Sequence, residues 1–142
     1  MHEGWHKEDY LVLLSDQESS DASRGYEIVG YMPGYQILGL RSWDDFIVRD
    51  ETGGVFTVPT VPMDRQYLAA WTLPTNTSQL EPDSRFTGCI KWHIKPICFG
   101  GDANAVANTL WVSGEQHMQL VTWWNAKYRE MREGSGDVRE RS

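Results

Sequence analysis

Between Tyr26 and Met63 the chain offers short apolar runs cut every few residues by turn formers, a spacing that reads as several short strands broken by tight turns. Tyr26–Tyr31 alternates loosely and reads as a first extended piece, closed by Met32-Pro33-Gly34. Tyr35–Leu40 and Phe46–Arg49 read as strands. Asp50-Glu51-Thr52-Gly53-Gly54 is the turn of a hairpin from which Val55–Val58 returns. Pro59 and Pro62 then end the pairing, because proline has no N–H to give to a ladder.

The flanks are more varied. Tyr10–Leu14 is apolar throughout and fits a strand or the core of a short helix. Ser15–Arg24 reads as a loop, or as a short helix capped by Ser19 or Ser20. Met63–Leu73 has helical spacing at Tyr67, Leu68 and Trp71, with Asp64 as cap, and Pro74–Arg85 is a polar loop. In Ile90–Phe99, Ile90, Trp92 and Ile94 alternate with Lys91, His93 and Lys95, the pattern of a strand with one core face and one solvent face. Pro96 marks its end, Gly100-Gly101-Asp102 a turn, and Leu110–Val112 a further extended piece. Ser113 and Gln116 have the spacing of a capping box, followed by a helical stripe of Leu120, Val121, Trp124, Tyr128 and Met131. Gly134-Ser135-Gly136 is expected to stop that helix. The expected fold is α+β: a central, mostly antiparallel, twisted sheet with a C-terminal amphipathic helix packed on it. One domain spans residues 10–133, with a loosely ordered N-terminus over 1–9 and a disordered tail over 134–142.

With 142 residues, seven Trp, six Tyr and four Phe, the chain has the length and the aromatic mass for one core. Neither disulfide nor metal is needed for that. Cys89 and Cys98 would fall on opposite faces of a single strand, which disfavours a local bridge, and no Cys/His spacing suggests zinc. The net charge of −7 argues against direct binding to nucleic acid or to an anionic membrane. The acidity is concentrated early: residues 1–30 hold seven acids against Lys7 and Arg24, and residues 43–64 hold five against Arg49. No leader-like or membrane-spanning stretch stands out, so a soluble, cytoplasmic protein is expected.

The residue types able to carry chemistry form no catalytic constellation. His93 with Lys91 and Lys95 reads as a solvated strand face, and His117 lacks a second ligand one helical turn away. The Gly100–Asn104 run lacks the Lys and Ser/Thr of a phosphate loop, and turn chemistry accounts for it. Asp44 and Asp45 are adjacent, so in a strand their carboxylates would diverge rather than share a substrate. Beside them, Trp43 suits either the core or the anchor of an interface. Trp124 belongs to the buried helical stripe and Trp123 to its margin. No catalytic residue, cofactor or metal is expected.

Several stretches together resemble the SUKH superfamily, which contains bacterial toxin-immunity proteins and yeast cell-wall synthesis regulators. They are Tyr26, Met32-Pro33-Gly34-Tyr35, Ile37-Leu38-Gly39, Phe46–Asp50 and Val58–Met63. Ile94–Asp102, Asn108 and the helix carrying His117, Val121, Trp123, Trp124, Asn125 and Tyr128 are similar to the tails of bacterial members. The resemblance implies an immunity protein that binds and neutralises a cognate secreted toxin, a nuclease or nucleotide-modifying enzyme, by occluding its basic cleft with an acidic surface. The residues proposed for that contact are Trp43, Asp44, Asp45, Asp50, Glu51 and Asp64. The protein would act as a monomer or homodimer. A non-catalytic regulatory or scaffold protein of the same fold is the alternative, and a small hydrolase a more distant one.

Overall fold

The computed structural model describes residues 1–75 and 80–141, with the side chains of the last helix described through Arg132. The hairpin grammar of the sequence becomes a six-stranded antiparallel sheet in chain order: β1 (His2–His6), β2 (Asp9–Leu13), β3 (Gln36–Arg41), β4 (Asp45–Arg49), β5 (Val55–Pro59) and β6 (Ala69–Ala70). Asp50 holds the β4–β5 turn. Its backbone N–H donates to the Gly54 carbonyl at 2.9 Å, and its carboxylate accepts from the Thr52 and Gly54 N–H groups. A bulge at Leu38 shifts the β3–β4 register between Ile37 and Gly39. Gly39 is required there, because a Cβ would stand 2.0 Å from the Val12 carbonyl oxygen.

The N-terminus differs from expectation. Residues 1–9 contain edge strand β1, paired from His2 with Leu13 to His6 with Asp9. Trp5 secures it, exchanging backbone hydrogen bonds with Glu81 and packing edge-on to Tyr10 at 5.3 Å. A polar run of this kind gives no hydrophobic signal, since its partner strand and a distant loop supply the pairing.

Between β2 and β3 lie α1 (Asp16–Gly25) and the one-turn α2 (Ile28–Tyr31). Ser15 caps α1 in a complete capping box with Glu18. Ser19, one of the two caps expected, is instead buried in the body of the helix and donates to the Ile37 carbonyl. Tyr26–Tyr31 is therefore not extended: Glu27 at φ 60° redirects the chain, and Tyr26, Ile28 and Met32 all enter the core. Met63–Leu73 likewise makes only a single 3-10 turn over Arg65–Tyr67, capped by Asp64 as expected, before β6 pairs with β5. Pairing with β5 wins because the turn places Leu68 on one face of the sheet and Trp71 on the other.

Both faces of the sheet are covered. Tyr10, Val12, Ile37, Phe46, Val48 and Val58 face the helices. Leu11, Leu13 and Ile47 face the segment after β6, which brings Trp71, Leu73 and Leu80 over them before Glu81 reaches β1. Each such fully buried side chain contributes roughly 1.5–3 kcal/mol of burial free energy. A second, two-stranded sheet of β7 (Ile90–His93) and β8 (Thr109–Val112) leads into α3 (Gly114–Arg141). The Ser113–Gln116 capping box is present in both directions. On α3 the fully buried positions are His117, Val121 and Asn125; Leu120, Trp124 and Tyr128 are half-buried and Met131 is exposed. Trp123, expected at the core margin, is 59 % exposed. The helix runs on through Gly134-Ser135-Gly136, where the sequence suggests a stop. The side chains of that region and the expected tail over 134–142 lie outside the described side chains. The fold is mixed α+β, and no helix among the described residues is long and apolar enough to cross a membrane.

Candidate functional site

At one end of the large sheet a cleft of about 330 Å³ opens between three stretches of chain: Trp43–Asp45, Pro59–Pro62 and Lys91–His93. Tyr67, Pro96, Ile97 and Cys98 complete its lining. The β3–β4 turn builds one wall. Ser42 and Trp43 both have positive φ, 48° and 64°, and the Ser42 N–H is held by the Tyr10 carbonyl at 2.7 Å. This turn folds Trp43 inward. Its ring stacks on Tyr10 at 5.0 Å and meets Phe86 and Trp111 edge-on, leaving 7 % of the residue exposed. Of the two readings open for Trp43, core packing is the one realised.

Asp44 is the electrostatic centre of the cleft. Its Oδ1 lies 3.1 Å from His93 Nε2 and its Oδ2 lies 3.6 Å from Lys91 Nζ, which also sits over the Trp43 ring. The His93 approach is close in distance but misaligned, and neither ring nitrogen of His93 has a hydrogen-bond partner. Trp43 Nε1 is buried without a partner as well. Burial pushes the Asp45 carboxyl above the usual range, and the charges of Asp44 and Asp9 add to the rise while Arg41 opposes it. Arg41 itself is paired with Asp9 at 3.3 Å, and among the described residues Asp45 has no ion pair.

The other expected contact residues lie elsewhere. Asp50 and Glu51 sit at the opposite end of β4, about 17 Å away at the rise of an extended strand. The Thr52 hydroxyl and the turn N–H groups hold the Asp50 carboxyl below its usual value. Asp64 lies against α3, ion-paired with Arg132. The six residues thus occupy three separate places, and only Trp43, Asp44 and Asp45 share the cleft.

Lys91 and His93 are the cleft residues that sequence reasoning placed in solvent. His93 is 7 % exposed, whereas Ile94, expected in the core, is 51 % exposed. The alternation fails because β7 ends at His93 and because the Trp43–Asp45 turn covers the Lys91/His93 face. Nothing local in the sequence announces a turn fifty residues away. His117, also passed over, is fully buried and shares a 2.7 Å hydrogen bond with the Tyr26 hydroxyl through Nδ1.

Cys98, His93 and Asp44 are the residue types of a thiol–imidazole–carboxylate relay, and all three line the cleft. The required contact is missing: among the described residues neither ring nitrogen of His93 has a hydrogen-bond partner, so none joins it to Cys98, and partial burial pushes the thiol up rather than down. Among the described residues no group of three or more His, Cys, Asp or Glu side chains is placed to hold a metal ion. The cleft combines aromatic and proline walls with a carboxylate, Asp45, that has no ion pair among the described residues, and with buried polar groups that lack partners there. No protein-family model matches the chain, and no curated protein or solved structure matches it either.

Proposed function

We propose that the chain is an immunity protein, which binds a secreted bacterial protein toxin and neutralises it without chemistry of its own. The toxin is a nuclease or nucleotide-modifying enzyme, and the acidic cleft end of the sheet occludes its basic active site. The observation that carries this reading is the meeting of Asp44 and Asp45 at an aromatic- and proline-walled cleft. Asp45 gains from an incoming cation, because its charge is disfavoured where it stands. The apolar walls offer a partner an anchor, the combination typical of recognition surfaces. The resemblance to the SUKH superfamily, which rests on sequence motifs, supports the same role, and cytoplasmic action would follow from it. The net charge of −7 favours steering toward a basic partner.

Co-expression with the toxin encoded beside it tests the proposal. The chain should restore growth and co-purify with the toxin. Growth arrest undiminished by co-expression, together with no complex between the purified proteins, would sink the reading.

A further inference from the structure

The small sheet has an edge that the described residues leave unpaired, and it borders the cleft. Backbone groups alternate in direction along a strand. The Ile94 N–H donates to the Asn108 carbonyl at 2.8 Å, toward the β8 side. Trp92 and Ile90, two and four residues earlier, therefore direct their N–H and C=O groups to β8. Lys91 and His93 direct theirs the opposite way, where β7 has no strand neighbour. Among the described residues those outward groups have no hydrogen-bond partner.

Lys91, Trp92 and His93 all line the cleft. Successive residues face opposite sides of a strand, so three in a row border one cavity when it runs along the strand's edge. Pro59 and Pro62 stand in the facing wall, and with no N–H of their own they cannot donate across the gap. The gap stays open to another chain. Its dimensions fall at the lower end of ligand pockets, enough for a short stretch of extended chain.

We propose that this edge is a strand-addition site. An extended segment of the protein partner enters the cleft and pairs with the backbone of Lys91 and His93. It sets apolar side chains against Pro62, Tyr67 and Ile97, and a basic one toward Asp44 and Asp45. Charge selects the occupant: a second copy of this chain would bring its own Asp44 and Asp45 to the same place. This mode of binding rests on the reading of the chain as a partner-binding protein, and is independent of what the partner catalyses.

A six-residue peptide alternating valine and arginine is the probe, compared with the same peptide N-methylated at alternate amides. Trp fluorescence reads affinity, and amide hydrogen exchange reads the edge. The unmethylated peptide should bind and slow exchange at Lys91 and His93 by about tenfold or more, leaving Trp92, already bonded to β8, unchanged. N-methylation should weaken binding by about tenfold or more, since it removes the ladder donors. Lys91→Pro, which deletes one outward N–H and no β8 bond, should show the same loss, while Lys91→Ala should retain binding. No binding by the unmethylated peptide, or binding that leaves both amides unprotected, overturns the edge. So does protection in the free protein that rises with its own concentration, because a second copy would then be the occupant. Toxin neutralisation that survives Lys91→Pro also overturns it, while leaving the immunity function standing.

Discussion

His117 is a histidine at the centre of a core, bonded to the Tyr26 hydroxyl and set among the rings of Trp92 and Phe46 at 5.7 and 6.5 Å. Burial lowers its pKa from 6.5 to about 4. The unfolded chain therefore takes up this proton at a higher pH than the folded one. The contribution to stability is complete above about 6.5 and is lost as the pH falls toward 4, by an amount on the order of 3 kcal/mol. Denaturant unfolding at pH 4.5 and 7 should show that His117→Phe removes much of that difference; superimposable pH dependence in parent and variant would contradict it. Trp43 has a related lesson. Its burial makes Trp43→Ala a core truncation, expected to cost about 3–5 kcal/mol in thermal or chemical unfolding, so loss of binding in that variant would not report on the interface. Asp44→Asn and Asp45→Asn are the cleaner probes. The acids and the tryptophan were legible in the sequence as a group, because they are adjacent. The burial of Trp43 was not, because it depends on Ser42 and Trp43 adopting left-handed conformations that bring the ring onto Tyr10.

Among the elements, α3 shows how one polar side chain can fix a loop. Asn125 is fully buried; its Oδ1 accepts from the Met63 N–H at 2.7 Å, and its Nδ2 donates to the carbonyls of Thr60 at 2.7 Å and Val121 at 3.0 Å. These bonds hold the Thr60–Met63 segment, which includes part of the cleft wall. Asn125→Leu leaves the Met63 N–H and Thr60 C=O unpaired in the core and should destabilise the fold by roughly 2–4 kcal/mol in denaturant unfolding. Faster amide exchange at Met63 should accompany that loss, and a variant as stable as the parent would contradict the clamp. The starts of α1 and α3 show which local signals survive folding. The Ser113–Gln116 box was readable because both partners lie within one turn, and Ser15–Glu18 has the same form. For β7 the strand itself was readable as far as His93, but the burial of its Lys91/His93 face was not. Beyond that residue, the Ile94 and Lys95 N–H groups donate to the backbone carbonyl and the side-chain Oδ1 of Asn108, fourteen and thirteen residues away, and these bonds set the course of the chain.

For the molecule as a whole, the hairpins of the middle segment and the closing helix were legible, because turn residues and helical periodicity are local signals. The edge strand His2–His6 was not, since its order comes from pairing with β2 and from Glu81, seventy-six residues beyond Trp5. The cleft was half legible for the same reason: Trp43–Asp45 stood out, whereas Lys91, His93 and Pro59–Pro62 join them only through the tertiary fold. Charge acts at this scale too. A binding surface that steers a basic toxin should associate rapidly at low ionic strength and slow as salt screens the approach. The decisive measurement is the association rate of the purified chain with the proposed toxin partner. It should be followed across ionic strength for the parent and for the Asp44→Asn/Asp45→Asn double variant. The predicted result is a parental rate that falls by about tenfold or more with added salt, and a double variant that is slower at low salt and less sensitive to it. A complex whose association is indifferent both to salt and to the loss of these two carboxylates would contradict the account.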